Sequence, residues 1–148
     1  MSISARLQEL GIAIPPAPAP AANYVPYVVE GRLVFIAGQG PFAADGTLQY
    51  LGKVGQQRTE QEGYASARLC ALNCLAQLQA AAGSLERVKR IVRVGGFVNC
   101  GPDFGRQPQV VNGASDLLVQ IFGERGRHAR TAVGTCSLPM DTTTEIEM

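Results

Sequence analysis

The feature that most constrains this fold is one long helix pattern that lies between segments rich in β-branched residues. Thr59 and Glu62 have the spacing of a capping box, in which each side chain accepts a hydrogen bond from the other residue's backbone amide. Apolar residues then recur at helical spacing, and Gly83 is a typical residue at a helix C-terminus. The apolar stripe consists of Ala65, Leu69, Leu72, Leu75, Ala76 and Leu78. The sequence therefore predicts a long helix between Thr59 and Gly83.

A second helix pattern occupies the segment QPQVVNGASDLLVQIFGERG. Its apolar residues again recur every three or four positions, and Gly123 or Gly126 ends it. The stripe consists of Val110, Ala114, Leu117, Leu118 and Ile121. Asn112 falls just inside this helix, either as a cap-type residue near its N-terminus or as a donor that faces a pocket.

Two β-rich runs precede the first helix, in the segment YVPYVVEGRLVFIAGQGP. They are separated at Glu30-Gly31, which is typical of a hairpin with glycine at the turn. The second run, residues 33–37, is almost entirely apolar, so we expect it to be buried on both faces or nearly so. A turn at Asp45-Gly46 and a short edge strand follow it.

Three further β-rich segments complete the pattern. VKRIVRVGGFVNC lies between the helices, and Gly95-Gly96 predicts a bulge in it. ARTAVGTCSL and TTTEIEM follow the second helix and flank a turn at residues 139–141, which predicts a C-terminal hairpin. The order ββ(β)αβαββ favours an α+β fold in which two helices cover one face of a single mixed sheet.

The N-terminal segment has a different character. ISARLQELGI predicts one or two helical turns, because Ile3, Leu7 and Leu10 fall on one side and Gly11 follows them. The prolines of PPAPAPAAN exclude a regular helix or an inner strand there. We expect residues 1–148 to form one domain, in which residues 1–22 are a helical turn and a Pro/Ala-rich tether.

Composition narrows the classes of function. The 13 basic and 12 acidic side chains leave a net charge of +1, so a nucleic-acid partner is not expected. No apolar run is long enough to cross a bilayer, and the N-terminus does not resemble a secretory signal. The four cysteines lack the spacing of a disulfide scaffold or a metal site. These features favour a cytoplasmic location with reduced thiols and no metal.

The second face of the predicted sheet has no helices to cover it. Because the C-terminal strands are too apolar to face water, we expect identical subunits to bury that face. A ligand pocket would then lie most naturally between subunits.

Arg130 begins an apolar, strand-like run that contains no other charge before Asp141. Strand alternation places it on one face with small residues, namely Ala132, Gly134 and Cys136. Small neighbours predict an open space beside a planar cation that matches a carboxylate. Two interpretations remain open: Arg130 binds a ligand, or it pairs with a protein carboxylate such as Glu145 or Glu147.

Glu145 shares one face of the last strand with Glu147. In the predicted hairpin it lies opposite about residue 135, so it would reach Arg130 only through a bulge or a second subunit. It is either a carboxylate that activates water or a solvated edge charge.

The other polar candidates are weaker. His128 is the only histidine, and no acidic residue lies near it in sequence, so we expect it at the surface. Tyr24 and Tyr27 are half-buried packing residues or, at a cavity mouth, substrate-orienting phenols. The segment Gly38–Gly40 does not match a phosphate-binding loop.

Four segments in the same order resemble the RidA/YjgF family of reactive-intermediate deaminases, once labelled endoribonuclease L-PSP. They are GRLVFIAGQGP, ALNCLAQLQAAAGSLERVKRIVRV, VVNGASDLLVQIFGE and RHARTAVGTCSLPMDTTTEIEM. The resemblance covers most of the chain from about Tyr24, and the longer N-terminus indicates a separate branch. It implies a chorismate-mutase-like fold and a homotrimer with clefts between subunits. The implied activity is the hydrolysis of 2-imino acids to 2-keto acids and ammonia, without metal or cofactor.

The resemblance also implies roles for individual residues. Arg130 would bind the substrate carboxylate, and Glu145 would position the attacking water. Tyr24 and Asn112 would line the cleft, and backbone groups near Gly38 would complete it.

Two positions depart from the family pattern. Ala37 stands where active members usually carry serine, and Ala132 stands where the well-studied members often carry cysteine. Both changes remove a polar group from the implied pocket wall, which would shift the preference toward apolar imines or abolish activity.

Three hypotheses follow. The first is an imine deaminase that acts through Arg130 and Glu145 on a small carboxylate-bearing substrate. The second is a trimeric module that binds a small carboxylate without turnover, and the two alanines favour it. The third, RNA cleavage, is suggested only by the family's older label and is disfavoured by the neutral charge and the lack of a histidine pair.

Overall fold

The computed structural model describes residues 1–148, and its elements follow the predicted order. The helices are α1 (Ile3–Glu9), α2 (Glu60–Ala82) and α3 (Gln107–Phe122), and the strands are β1 (Tyr27–Glu30), β2 (Leu33–Ile36), β3 (Arg93–Asn99), β4 (Ala129–Thr135) and β5 (Thr144–Glu147). The predicted edge strand before α2 is reduced to isolated bridges, among them Phe42–Leu48. No helix has the length and apolar character that crossing a membrane requires.

The five strands form one mixed sheet. β1 pairs with β2 in an antiparallel hairpin, while β3 pairs with β4 in parallel and with β5 in antiparallel orientation. β5 also exchanges backbone hydrogen bonds with β2 and the residues after it, through Ile36–Met148 and Gln39–Ile146. The strand order is therefore β1-β2-β5-β3-β4, with β1 and β4 at the edges.

The predicted C-terminal hairpin is wrong, because β3 lies between β4 and β5. α3 connects β3 to β4 as a crossover, which makes those two strands parallel. The chain then returns to the other side of β3. Central placement buries the apolar residues Val94 and Val98 of β3, and it places Glu145 opposite Phe97 rather than near residue 135.

The predicted bulge at Gly95-Gly96 is also wrong, because the pairing of β3 continues through both residues. The glycines instead allow close packing. A Cβ at Gly96 would lie 2.5 Å from Cγ1 of Val111 on α3, and one at Gly95 would lie 2.6 Å from Oε1 of Glu147.

Both predicted caps of α2 are confirmed. The capping box joins Thr59 and Glu62, and Gly83 adopts the left-handed conformation with φ of 78°. The predicted stripe of α3 is buried throughout. α2 and α3 pack directly on each other at Gly113, where a Cβ would overlap the backbone carbonyl of Tyr64.

The buried face of α2 differs from the predicted stripe, because it carries several polar side chains. Ser66 Oγ lies 2.6 Å from Thr144 Oγ1 of β5. Asn73 donates to the carbonyls of Gly40 and Phe42 at 3.0 and 2.9 Å. Gln77 is also buried. Hydrogen bonds thus fix α2 on the sheet and on the loop after β2, whereas Ala65, Leu69 and Leu72 are only half-buried.

The N-terminal segment lies over the helical layer. Ile3 of α1 is buried in the core, and Arg6 Nε donates to the carbonyl of Gln120 on α3 at 2.8 Å. Further along the tether, the carbonyl of Pro18 accepts a hydrogen bond from Gln77 at 2.6 Å. The predicted helix and extended tether are both present.

The sheet face opposite the helices is open, as the sequence predicts. Phe35, Val28 and Val133 lie there, and 57%, 50% and 42% of their surfaces are exposed. We predicted that residues 33–37 would be buried on both faces, which is wrong for the single chain because the helices cover only one face.

Candidate functional site

Arg130 lies on β4 and faces α3, on the same side of the sheet as Ala132. Its Nη1 donates to Asn112 Oδ1 at 2.8 Å and to Ser115 Oγ at 3.1 Å, and its Nη2 donates to the carbonyl of Pro108 at 3.2 Å. All three acceptors are neutral. Since a guanidinium has five N–H donors, Nε–H and one Nη2–H remain available for a bidentate carboxylate.

The three acceptors form one stripe along α3. Pro108, Asn112 and Ser115 are spaced four and three residues apart, so they lie on the same side of the helix. The structure therefore brings Asn112 to Arg130, as the sequence suggested for a shared site. Ser115 was missed, although its spacing from Asn112 was a signal that could have identified it.

No carboxylate of the chain pairs with Arg130. Glu147 instead accepts from Arg93 on the open face, at 3.4 Å. The interpretation of Arg130 as half of an internal ion pair is thus excluded within this chain.

The space beside Arg130 differs from the prediction. Ala132 packs against the core, and a Cβ at Gly134 would lie 2.8 Å from both Cys100 Sγ and Gln107 Nε2. Small residues on β4 therefore accommodate the chain's own packing. Arg130, which carries the free N–H donors, lies on β4 at the edge of the sheet.

His128 is half-buried rather than at the surface, which corrects the prediction. Its Nε2 lies 2.9 Å from Ser115 Oγ, and its Nδ1 lies 2.6 Å from the carbonyl oxygen of Gly126. Burial lowers the pKa of His128, and the positive charge of Arg130 lowers it further. His128 points inward because it packs against α3, and the local sequence does not reveal this contact.

Glu145 lies on the opposite, open face of the sheet, next to Gly38. A Cβ at Gly38 would overlap Oε1 of Glu145, so only glycine permits this approach. The carboxylate has no ion-pair partner in the chain. Burial raises the pKa of Glu145, and the charge of Glu147 raises it further.

The backbone at Gly38 is held from both sides. The amide of Ala37 donates to the carbonyl of Pro26, and the amide of Gln39 donates to that of Ile146. The amide of Gly38 itself donates to no backbone carbonyl. An available N–H group thus lies beside a carboxylate of raised pKa.

Tyr24 lies between the tether and β1, and 47% of its surface is exposed. Its hydroxyl accepts from the amide of Ala21 at 3.4 Å. Because β1 and β4 are opposite edges of the sheet, Tyr24 is far from Arg130 within one chain.

The candidate residues therefore form two groups in one chain. Arg130 pairs in register with Val94, whereas Glu145 pairs with Phe97, so the two side chains point to opposite faces. With strands ~4.8 Å apart and ~3.3 Å per residue, their backbones are roughly 14 Å apart. Arg130 with Asn112 forms the cationic group, and Gly38 with Glu145 forms the acidic group.

Two surface depressions are lined by residues that belong to neither group. One, of about 160 Å³, is bordered by Glu60, Tyr64 and Gln109. The other, of about 230 Å³, lies between residues 54–56 and 101–104. No group of three or more His, Cys, Asp or Glu side chains has a geometry suited to a metal ion.

Comparison with known proteins supplies a family. Residues 4–147 match the family described as "YjgF/chorismate mutase-like, putative endoribonuclease". The Trypanosoma cruzi protein TCP17 is 48% identical over 146 residues, covering 98% of this chain and 91% of that protein.

Solved structures agree with this match. A protein of Shewanella oneidensis MR-1, described as a "putative endoribonuclease", is 37% identical with a TM-score of 0.95, over 99% of this chain and 97% of that one. E. coli TdcF, solved with bound serine, is 25% identical with a TM-score of 0.61, over 88% of this chain and 89% of that one. The contrast between the two TM-scores indicates a branch of the family distinct from that of TdcF. With its α+β chorismate-mutase-like fold and its match over residues 4–147, the chain belongs to the RidA/YjgF family.

Proposed function

We propose that this protein hydrolyses small 2-imino acids to 2-keto acids and ammonia, in clefts formed between copies of the chain. The family includes imine deaminases, and the chain retains the arginine and glutamate that the resemblance assigns to that reaction. The observation that carries the proposal is the guanidinium of Arg130, which neutral oxygens hold and no carboxylate neutralises.

Arg130 would bind the carboxylate that every 2-imino acid carries. Its two remaining donors match the two oxygens of a carboxylate, and a bidentate contact fixes orientation as well as position. This contact would hold the adjacent imine carbon for attack, which replaces a chance encounter with a positioned one.

Glu145 would position and activate the water. A carboxylate whose pKa is raised is a better proton acceptor than an ordinary one, and Glu145 has this property because of burial and the nearby Glu147. Water would add to the carbon of the protonated imine and give one proton to Glu145, which leaves a carbinolamine. Glu145 would return that proton to the amino group, and the C–N bond would then break to release ammonia while the hydroxyl group loses its proton to solvent and becomes the carbonyl of the keto acid.

A second copy of the chain is needed to unite the two groups. The cationic and acidic groups point to opposite faces of one sheet, so no single chain brings them to one substrate. We propose that the open face, with Phe35 and Val133, packs against identical copies in a homotrimer, as the family resemblance implies. Tyr24 and Ala37 would then line the same clefts.

The nature of the ligand has one further support. TdcF was solved with serine, which is a small α-amino acid with a free carboxylate. A 2-imino acid has the same carboxylate and a nitrogen on the same carbon. Ala37 would give the cleft a less polar wall, which favours substrates with apolar side chains.

The test is the release of 2-keto acid from imino acids generated in situ by an amino acid oxidase. Arg130→Ala should lower the rate enhancement roughly 100-fold, and Arg130→Lys should recover little because an ammonium is not a planar fork. Arg127→Ala is the matched control, since Arg127 pairs only with Glu124 at the surface. Equal rates for Arg130→Ala and the parent would refute the proposed clamp.

The alternative is a binding module that senses small carboxylates without turnover. Ala37 and Ala132 favour it, because they remove polar groups from the implied pocket wall. Thermal stabilisation by a 2-keto acid, together with no keto-acid release from any imino acid, would select this alternative. RNA cleavage has little support, since the single histidine is engaged by Ser115 and Gly126.

A further inference from the structure

A chain of hydrogen bonds lies behind Arg130, on the side away from its free donors. Arg130 Nη1 lies 3.1 Å from Ser115 Oγ, and Ser115 Oγ lies 2.9 Å from His128 Nε2. The chain ends where His128 Nδ1 lies 2.6 Å from the carbonyl oxygen of Gly126. Three elements are joined in this way: β4, α3 and the segment that connects them.

The chemistry of the four groups fixes the direction of each bond. A backbone carbonyl can only accept, so Nδ1 of His128 must carry a proton and donate to Gly126. In the neutral imidazole Nε2 is then a bare acceptor, and the Ser115 hydroxyl must donate to it. The lone pairs of Ser115 Oγ can then accept a hydrogen bond from Arg130. The guanidinium has only N–H donors and cannot accept.

The fold holds each residue of this hydrogen-bonded series in place. A Cβ at Gly126 would overlap the carbonyl oxygen of Leu118, so glycine there brings the connecting segment against α3. Ser115 lies one helical turn from Asn112, which holds the second Nη1 proton of Arg130. Asp116 is engaged elsewhere, because its Oδ2 accepts from the Tyr64 hydroxyl at 2.8 Å. Burial and Arg130 lower the pKa of His128, which supports the neutral imidazole at pH 7.

We propose that Ser115 and His128 are positioning residues, which together orient the guanidinium of Arg130 for carboxylate binding. The proposal rests on the proposed function, in which Arg130 binds the substrate carboxylate. His128 does not touch the substrate. It fixes the hydroxyl of Ser115, and that hydroxyl occupies Nη1 so that Nε–H and the free Nη2–H form the binding edge.

The single histidine permits a direct spectroscopic test in the wild-type protein. Two-bond ¹H–¹⁵N spectra should show His128 protonated on Nδ1 and unprotonated on Nε2 at pH 7.5. Addition of 2-oxobutanoate, a short 2-keto acid, should shift the Nε2 resonance, and this shift should be absent in Ser115→Ala. A proton on Nε2 instead of Nδ1 would overturn the proposed donor and acceptor roles of Ser115 and His128.

Two substitutions of His128 separate positioning from packing. His128→Gln places an amide oxygen near the position of Nε2, where it can still accept from Ser115. His128→Asn keeps a donor for Gly126 but leaves Ser115 without an acceptor. We expect His128→Asn and Ser115→Ala to weaken binding of 2-oxobutanoate about tenfold, and His128→Gln to bind within about threefold of the parent.

Calorimetric Kd values for 2-oxobutanoate decide between the outcomes, with Asp116→Asn as the control on the next residue of α3. Equal Kd values for His128→Gln and His128→Asn would overturn the positioning role. If turnover is detected, the same variants should raise KM about tenfold and leave kcat within about twofold.

Failure of this proposal is distinct from failure of the proposed function. If Arg130→Ala binds 2-oxobutanoate as the parent does, the carboxylate clamp itself is wrong. If Arg130→Ala loses binding while Ser115→Ala keeps the parent's Kd, the clamp stands and the positioning role is overturned.

Discussion

At the scale of single residues, Arg130 differs from the arginines that form ion pairs. Arg106 and Arg127 lie against the carboxylates of Glu60 and Glu124, which neutralise them. Arg130 is held by an amide oxygen, a hydroxyl and a backbone carbonyl instead. Neutral acceptors restrict the movement of a cation without cancelling its charge, so the attraction for an external anion is preserved.

Glu145 should carry a measurable cost to stability. Its pKa is raised from 4.5, so the folded chain disfavours its ionised form. Below about pH 4 the carboxyl is protonated in both folded and unfolded chains and no penalty exists. The penalty develops as pH rises above 4.5 and is complete once the folded carboxyl has ionised. Glu145→Gln should therefore raise the Tm by about 2 °C at pH 7 and leave it unchanged at pH 4.

Differential scanning calorimetry at the two pH values tests this expectation. Glu124→Gln is the control, because that exposed carboxylate should contribute little at either pH. A lower Tm for Glu145→Gln at pH 7 would contradict the assigned cause of the pKa shift.

The sequence singled out Arg130 because it is the only charge in an apolar strand. It placed Asn112 just inside α3 as either a cap-type residue or a donor that faces a pocket, and the structure brings the two residues into contact. Ser115 was missed although its spacing from Asn112 offered a signal. The expected surface position of His128 was wrong, because its half-buried position depends on the approach of the 123–126 segment to α3, which Gly126 permits and local sequence does not encode.

At the scale of elements, α2 lies where the sequence predicts it, but its buried face carries polar side chains that the sequence analysis did not predict. Its caps were readable because a capping box and a C-terminal glycine are local signals. Its buried face was not, since Ser66, Asn73 and Gln77 are satisfied by groups distant in sequence. Such partners become visible only when the sheet and tether are in place.

Contact between α2 and α3 depends on Gly113. Alanine normally favours a helix over glycine by about 1 kcal/mol. Here a Cβ would overlap the Tyr64 carbonyl, so Gly113→Ala should instead lower the free energy of unfolding by about 1–3 kcal/mol. Gly105→Ala is the control, because no atom lies within 4 Å of its Cβ position. Urea denaturation of both variants measures the difference, and a Gly113→Ala variant as stable as the parent would show that the helices move apart freely.

Strand pairing was the least predictable feature of the elements. The sequence around residues 139–141 resembles a hairpin turn, but β4 and β5 do not pair with each other. β3 lies between them and pairs with both. The choice is made by the burial of β3 under α2 and α3, which is a non-local effect. The error mattered, because the hairpin would have placed Glu145 near β4 rather than one strand away.

At the scale of the whole molecule, the chain has an open sheet face and a site divided into two groups. Either feature alone is compatible with a monomer. Together they favour an assembly, because packing of the open face against copies would cover Phe35 and Val133 and could unite the two groups.

A charge on the open face should break this assembly. We expect a mass near three times the 15.7 kDa chain mass for the parent, and near one chain for Phe35→Glu. Val92→Glu is the matched control: Val92 is also exposed, but it lies two residues before the buried Val94 and therefore shares the helix-facing side of the sheet rather than the open face. Light scattering coupled to size exclusion measures both masses. A Phe35→Glu variant that keeps the parent's mass would argue against the open face as the interface.

The four cysteines have a practical consequence. Burial raises the pKa of Cys70 to about 12 and raises the pKa of Cys74 above its usual value, and Cys100 is buried as well. Cys136 alone is exposed, one residue after β4. A maleimide spin label should therefore attach at one position per chain without any engineered mutation. In a threefold-symmetric particle, pulsed electron paramagnetic resonance would then record one interspin distance. That distance would report the separation between copies of the strand that carries Arg130.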